Sequence, residues 1–152
     1  MNSPDCSEML RKVGLKPTAQ RLAVLEYLQS EHMHPTADEV YQGVTERFPS
    51  ISKATVYNAL DALKKAGAVQ ELTIAREAAR YDCTVRPHPH FLCRLCGRLY
   101  DIDLPCPVRP GDDIQGHHVE IARSYLYGVC AECSKDGGKR VKRKAKKKGK
   151  EK

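Results

Sequence analysis

The sequence predicts an α+β fold in two parts, on three observations. Residues 17–67 carry three stretches of helical apolar spacing, and residues 68–83 carry two short alternating runs. Further along stand two CxxC pairs, Cys93–Cys96 and Cys130–Cys133, with 33 residues between them. The final stretch, "KDGGKRVKRKAKKKGKEK" (135–152), holds 11 Lys or Arg and almost nothing apolar.

The first helix is predicted over "PTAQRLAVLEYLQ" (17–29), where Pro17 and Thr18 form a start signal. Leu22, Leu25 and Leu28 then fall on one face. The second, "HPTADEVYQGVTERF" (34–48), opens with a capping box, Thr36 with Glu39 three residues on. Its apolar stripe is Val40, Tyr41, Val44 and Phe48. The third, "SKATVYNALDALKKAG" (52–67), has Ser52 as N-cap, Gly67 as its stop, and Val56, Ala59, Leu60 and Leu63 at i, i+3, i+4 and i+7. Burying that stripe leaves Lys53, Thr55, Tyr57 and Asn58 outward near the helix start. Such donors suit phosphate and base-edge contact in a major groove. "AVQELTI" (68–74) alternates as a strand, and "ARYDC" (79–83) can return beside it. Three helices and a hairpin is the order of a winged helix-turn-helix domain, here residues 1–83. The plainer alternative is a helical bundle whose third helix merely has a polar outer face.

Residues 84–134 form the second expected domain, a small α/β unit. Zinc favours four tetrahedral thiolates, and each CxxC turn can present two sulfurs to one ion. Cys93, Cys96, Cys130 and Cys133 are therefore expected to form a structural zinc site. Two CxxC pairs without a strand-to-helix setting argue against thioredoxin-like redox chemistry. Four thiolates saturate the ion, so the neighbouring histidines need another role. His88 and His90 alternate by two and would share a strand face, with Pro89 keeping His88 extended. Candidate partners are His34, Asp82 and Asp101, with Asp103 an alternative to Asp101 because alternate strand positions share a face. This N3O2 set suits Fe(II), Mn(II) or Zn(II), and the absence of sulfur leans toward the harder ions.

Seven cysteines, an odd number with four in CxxC pairs, speak for metal rather than disulfides in a reducing compartment. No apolar run nears the roughly 20 residues needed to span a bilayer. "MNSPDCSEMLRK" lacks a signal pattern, so a cytoplasmic protein without a membrane partner is expected. Residues 135–152 carry +9 and the other residues together −2, so the net charge of +7 comes from that stretch alone. That Lys-rich tail is expected to be disordered. It could add unspecific phosphate affinity or act only as a solvated solubility tail.

"GLKPTAQR", "HPTADEVY", "SKATVYNALDALKKAG", "RYD", "HPHFLCRLCG" and "YLYGVCAEC" follow one another in an order that resembles the ferric-uptake-regulator superfamily of metal-dependent repressors, over about residues 9–134. The resemblance implies a winged helix, an α/β dimerisation domain, and a homodimer on an inverted-repeat operator in double-stranded DNA. It also places Tyr57 at the family's DNA-contacting tyrosine, and Lys16 and Arg21 in its basic approach to DNA. His34, Asp82, His88, His90 and Asp101 match the regulatory ligands of its peroxide-sensing branch. Iron-sensing members commonly have glutamate at the last position. The implied device is a clamp of Fe(II) or Mn(II) between the two domains, released when peroxide oxidises His34 or His88 with iron bound. That chemistry is spent once per molecule, so no enzyme is expected.

Three departures from the pattern stand out. A histidine that many relatives use at a further site is Ala122 here, so that site is not expected. "DLPCPVRPGDDIQGHH" (103–118) is short and proline-rich for the dimerisation region, and its helix is expected to shrink to about two turns near 110–116. Cys83, five residues before His88, resembles a ligand of the zinc-uptake branch, although that branch's wing aspartate falls near Gln70. An ordinary half-buried strand residue is the simpler reading of Cys83, and no metal role is expected for Cys6 or Cys106. A thiol-disulfide enzyme and a nucleoid protein acting through its basic tail are the competing classes.

Overall fold

The computed structural model describes residues 5–30 and 34–137, so the expected disorder of 138–152 lies outside the described residues. The chain divides into two units, residues 1–86 and 87–152. Among the described residues, no helix is long and apolar enough to cross a membrane.

The first unit runs α1 (Cys6–Lys12), α2 (Ala19–Ser30), α3 (Ala37–Arg47), α4 (Lys53–Lys65), β1 (Gln70–Leu72) and β2 (Arg80–Asp82). Its core is the three leucine and valine stripes meeting: Val24, Leu25 and Leu28, Val40 and Val44, and Val56, Leu60 and Leu63 are all buried. Thr36 caps α3 through a full capping box, and Ser52 caps α4 by accepting from the Thr55 amide at 3.1 Å. Gly67 follows α4 at φ +78°, a left-handed stop that glycine adopts without steric cost. Removing the α4 cap with Ser52→Ala should destabilise this unit by about 1 kcal/mol, and Ser52→Gly by only a few tenths. Thermal melts of the two variants check this, and equal losses would put the cost elsewhere than the cap.

Two details depart from expectation. The helix α1 has no counterpart in the sequence reading: it spans one and a half to two turns, too few to show a period. Its signals are Asp5 accepting from the Ser7 amide at 2.9 Å, Glu8 in the first turn, and Arg11 and Lys12 in the last. It matters to packing, because Leu10 is fully buried in the shared core. Phe48 does not extend the α3 stripe. It sits past the helix end, 40% exposed, with the Arg47 guanidinium 5.6 Å above its ring.

β1 and β2 pair antiparallel in the register Gln70↔Asp82, Glu71↔Tyr81 and Leu72↔Arg80. β2 also bridges to the segment before α3: Arg80 faces Thr36, and the Tyr81 amide donates to the Pro35 carbonyl at 3.0 Å. The hairpin is thus fastened to the start of α3, and His34 and Asp82 are carried on that junction.

The second unit contains β3 (His90–Cys93), β4 (Leu99–Asp101), β5 (Asp113–Ile114), β6 (His117–His118), β7 (Tyr125–Gly128) and α5 (Ala131–Lys135). The sheet order is β4-β3-β7, with β3 antiparallel to β4 and parallel to β7. The parallel register sets Cys93 against Gly128, which brings the two CxxC segments to the same end of the sheet. Lys135, the first residue of the expected tail, closes α5.

The reduced helix expected near 110–116 is instead a hairpin, β5 against β6. Gln115 and Gly116 have φ +52° and +85°, the two positive angles that a tight two-residue hairpin turn requires and a helix forbids. Gly111, at φ +95°, breaks helical continuity on the other side.

Candidate metal centres

Cys93 ends β3, Cys96 lies in the turn that follows, Cys130 caps α5 and Cys133 lies within it. One sulfur from each lies within 4.8 Å of every other. Cys96 Sγ and Cys130 Sγ are 3.8 Å apart. A tetrahedral zinc with bonds of about 2.3 Å would hold its sulfurs about 3.8 Å apart, so the cage fits that ion. Cys93, Cys130 and Cys133 are buried and Cys96 half-buried. Across the cage, Arg98 Nη1 and Glu132 Oε2 pair at 2.6 Å and tie the first turn to α5.

The four thiols do not ionise alike. Burial pushes Cys93 up, but backbone N–H groups of Cys96, Cys130 and Leu95 outweigh it and bring the thiol down to about 6. The Tyr100 hydroxyl, with the Cys133 backbone, lowers Cys130. Burial raises Cys96, and burial together with the other three sulfurs pushes Cys133 up to about 12. Two thiols are thus lowered and two raised, and four thiolates at this spacing would repel one another. A divalent cation removes that conflict and converts all four to ligands.

The nitrogen and oxygen donors fall into two groups, one in each unit. In the first unit, His34 Nε2 lies 3.5 Å from Asp82 Oδ2. His34 has φ +51°, an uncommon angle for a residue with a side chain. Arg80 Nη1 donates to the His34 carbonyl at 3.3 Å, and the Pro35 carbonyl is held by Tyr81. Asp82 Oδ1 accepts from the Thr84 amide at 2.8 Å, and Gln70 Nε2 lies 3.4 Å from Oδ2. The aspartate therefore stands in a fixed orientation.

In the second unit, Asp101 Oδ1 lies 3.0 Å from His88 Nε2 and 3.4 Å from His90 Nε2. The β3–β4 register, His90↔Asp101, makes these neighbours across the sheet. The Pro89 carbonyl accepts from the Ile102 amide at 2.9 Å, which fastens the residue between the histidines. Two imidazoles and a carboxylate are the donor combination of non-haem Fe(II) sites, and the sulfur-free set as a whole suits Fe(II) or Mn(II). Asp103 lies beyond the end of β4 and is exposed.

The other cysteines stand apart from these groups. Cys6 Sγ donates to Gln29 Oε1 at 3.1 Å, and Cys83 Sγ to the Leu28 carbonyl at 3.7 Å, packed against the helical core. His118 Nδ1 is 2.9 Å from Asp113 Oδ1 within its own hairpin.

Of the residues read as DNA contacts, Lys53, Tyr57, Asn58 and Lys16 are exposed. Thr55 shares a 2.7 Å hydrogen bond with Ser52 at the cap, and Arg21 Nη1 donates to the Lys16 carbonyl at 3.0 Å. Three residues that the sequence reading missed join these groups: Arg80 behind His34, Tyr100 beside Cys130, and Asp38, which contacts Tyr57 and Lys53.

Residues 12–127 match the model of the ferric uptake regulator family. The chain is 40% identical over 132 residues to the peroxide-responsive repressor PerR of Staphylococcus epidermidis, covering 84% of this chain and 87% of that protein. Among solved structures it resembles the Campylobacter jejuni peroxide stress regulator, with TM-score 0.61, 31% identity and coverage of 83% and 97% of the two chains. It also resembles the Pseudomonas aeruginosa ferric uptake regulator with manganese, with TM-score 0.66, 27% identity and coverage of 85% and 99%.

Proposed function

The chain belongs to the ferric uptake regulator family, and we propose that it is a metal-dependent DNA-binding transcriptional repressor that responds to hydrogen peroxide. The observation that carries this reading is the division of the sulfur-free donors, two in the unit with the exposed α4 donors and three in the other. On this reading residues 1–83 bind DNA, residues 84–134 dimerise and hold zinc, and all five donors share one exchangeable cation. His34 and Asp82 supply one side of that site, and His88, His90 and Asp101 the other. A cation bound this way favours one relative setting of the two parts, so metal and DNA strengthen each other's binding. The peroxide-responsive names of the 40% identical relatives support the choice of signal.

When Fe(II) is bound, it supplies the redox chemistry by which hydrogen peroxide oxidises an adjacent imidazole, and Mn(II) does not. His34 and His88 are the proposed targets. The β2 contacts hold the backbone on the carbonyl side of His34, through its own carbonyl and that of Pro35, and so fix where its ring is presented. Loss of either donor frees the clamp and the operator, without turnover.

The homodimer finds support in β7, an edge of the sheet whose Leu126 and Tyr127 are 42% and 61% exposed. An apolar sheet edge is a ready pairing surface.

The test is to load the full chain anaerobically with Fe(II), Mn(II) or Zn(II), titrate an inverted-repeat duplex, then add peroxide and map +16 Da adducts. Binding lost only by the iron form, with oxidation at His34 or His88, is expected. Peroxide-resistant binding by the iron form would point instead to an iron-responsive repressor. Zinc as the sole effective corepressor would point to a zinc-responsive one.

A further inference from the structure

The start of α4 carries the proposed groove contacts, yet two of them are already engaged by a residue of α3. Tyr57 Oη donates to Asp38 Oδ1 at 2.6 Å, and Lys53 Nζ pairs with the same oxygen at 2.8 Å. Lys53 also stands 5.7 Å from the centre of the Tyr57 ring. Asp38 lies in the first turn of α3, two residues beyond the Thr36 cap, and its side chain is 61% exposed. The contact is therefore an open three-residue cluster on the face that would meet DNA.

A phenol has one proton, and here a carboxylate takes it in a short, charge-assisted hydrogen bond. What remains on Tyr57 Oη is acceptor capacity. Phosphate oxygens offer no donor, so such an oxygen gains nothing from the backbone of a duplex. The exocyclic amino groups of adenine and cytosine do offer donors in the major groove. The Lys53 ammonium is likewise neutralised at close range, and Asp38 itself repels phosphate.

We propose that Asp38 is a specificity-determining residue: by holding the Tyr57 proton and the Lys53 charge, it withholds both from phosphate and leaves Tyr57 to read amino groups on base edges. The inference deepens the DNA-binding reading above and rests on it. Asp38 limits affinity for arbitrary duplex and preserves the preference for the operator.

The experiment uses the full chain loaded with Mn(II), an inverted-repeat duplex enriched by that protein from a random pool, and the same duplex scrambled. Asp38→Ala frees both partners, whereas Asp38→Asn removes the charge while its amide oxygen can still accept from Tyr57. Both variants should bind the scrambled duplex several-fold more tightly. The slope of log K against log salt should steepen by about 0.9 for each additional phosphate neutralised. The operator-to-scrambled ratio should fall about tenfold in Asp38→Ala and less in Asp38→Asn. In a Tyr57→Phe background, the part of the fall owed to the phenol should vanish.

Unchanged scrambled-duplex affinity and salt slope in Asp38→Ala overturns the proposal, as does equal weakening on both duplexes, which marks a structural role. A thermal melt of each variant separates that case from misfolding. Absence of any duplex binding by the unmodified Mn(II) protein overturns the DNA-binding reading, and this inference with it.

Discussion

Replacing Cys96 or Cys133 with serine is expected to release one zinc ion per chain and to unfold most of residues 87–137. The cause is the composition of that unit's interior. The buried members of its cluster are Cys93, Cys130 and Cys133, with Phe91, Leu95, Cys96, Tyr100 and Val129 only partly buried around them. Partial burial of a handful of apolar side chains contributes a few kcal/mol at about 25 cal/mol per Å². Ordering some fifty residues costs far more. Structural zinc in small domains supplies on the order of 10 kcal/mol, enough to decide whether the unit folds. A serine leaves three sulfurs and an unsuited hydroxyl at the fourth corner.

The first unit should survive, since its core of leucines and valines from four helices does not involve the thiolates. Metal analysis, protease mapping and circular dichroism of the two variants check the outcome. Cleavage should concentrate beyond residue 87, while α1–α4 keep their helical signal and a separate melting step. A zinc-free variant with unchanged protease resistance would refute the metal-core account. Chelation at low pH should act in the same direction, because protons compete for thiolates and Cys133 regains its proton most readily.

Much of this arrangement could be read from the chain because its signals are local. Thr36 with Glu39, Ser52 and Gly67 act within one turn, so the ends of α3 and α4 follow from short strings. The CxxC pairs are equally local. The parallel β3–β7 register that joins them was not readable, since nothing in "YLYG" states its partner. The hairpin at 113–118 was missed for a different reason: Gln115 gives no hint of a positive φ, and only Gly116 marks the turn.

Contacts between elements were the hardest to foresee. Asp38 reads as an ordinary acidic residue in a first helical turn, favourable to the dipole, and nothing marks a tyrosine 19 positions on as its partner. Asp101 and Asp103 were equivalent in sequence, since alternate strand positions share a face. The end of β4 at Asp101 and its pairing with His90 separate them.

That separation sharpens the second large effect. His88→Ala should weaken Mn(II) binding by about 100-fold or more and abolish metal-dependent operator binding, while leaving zinc content unchanged. Losing a supporting group behind a ligand already costs 10–100-fold in metal affinity, and removal of the ligand itself should cost at least as much. His88 Nε2 lies 3.0 Å from Asp101 Oδ1 and His90 Nε2 3.4 Å, so the substitution also takes from that carboxylate the nearer of these two imidazoles. The sulfur cage holds Cys93 at the far end of β3 from His90, and its four donors include no nitrogen. Asp101→Ala should reproduce the His88 phenotype, and Asp103→Ala, exposed beyond the strand, should leave Mn(II) affinity within about twofold of the parent. The readouts are equilibrium Mn(II) titration, zinc stoichiometry and operator titration on the same preparations. If His88→Ala kept full Mn(II) affinity, the exchangeable cation would have to sit elsewhere. If it lost zinc as well, the two centres would not be independent, and the division of a permanent thiolate cage from a removable nitrogen-oxygen site would fail.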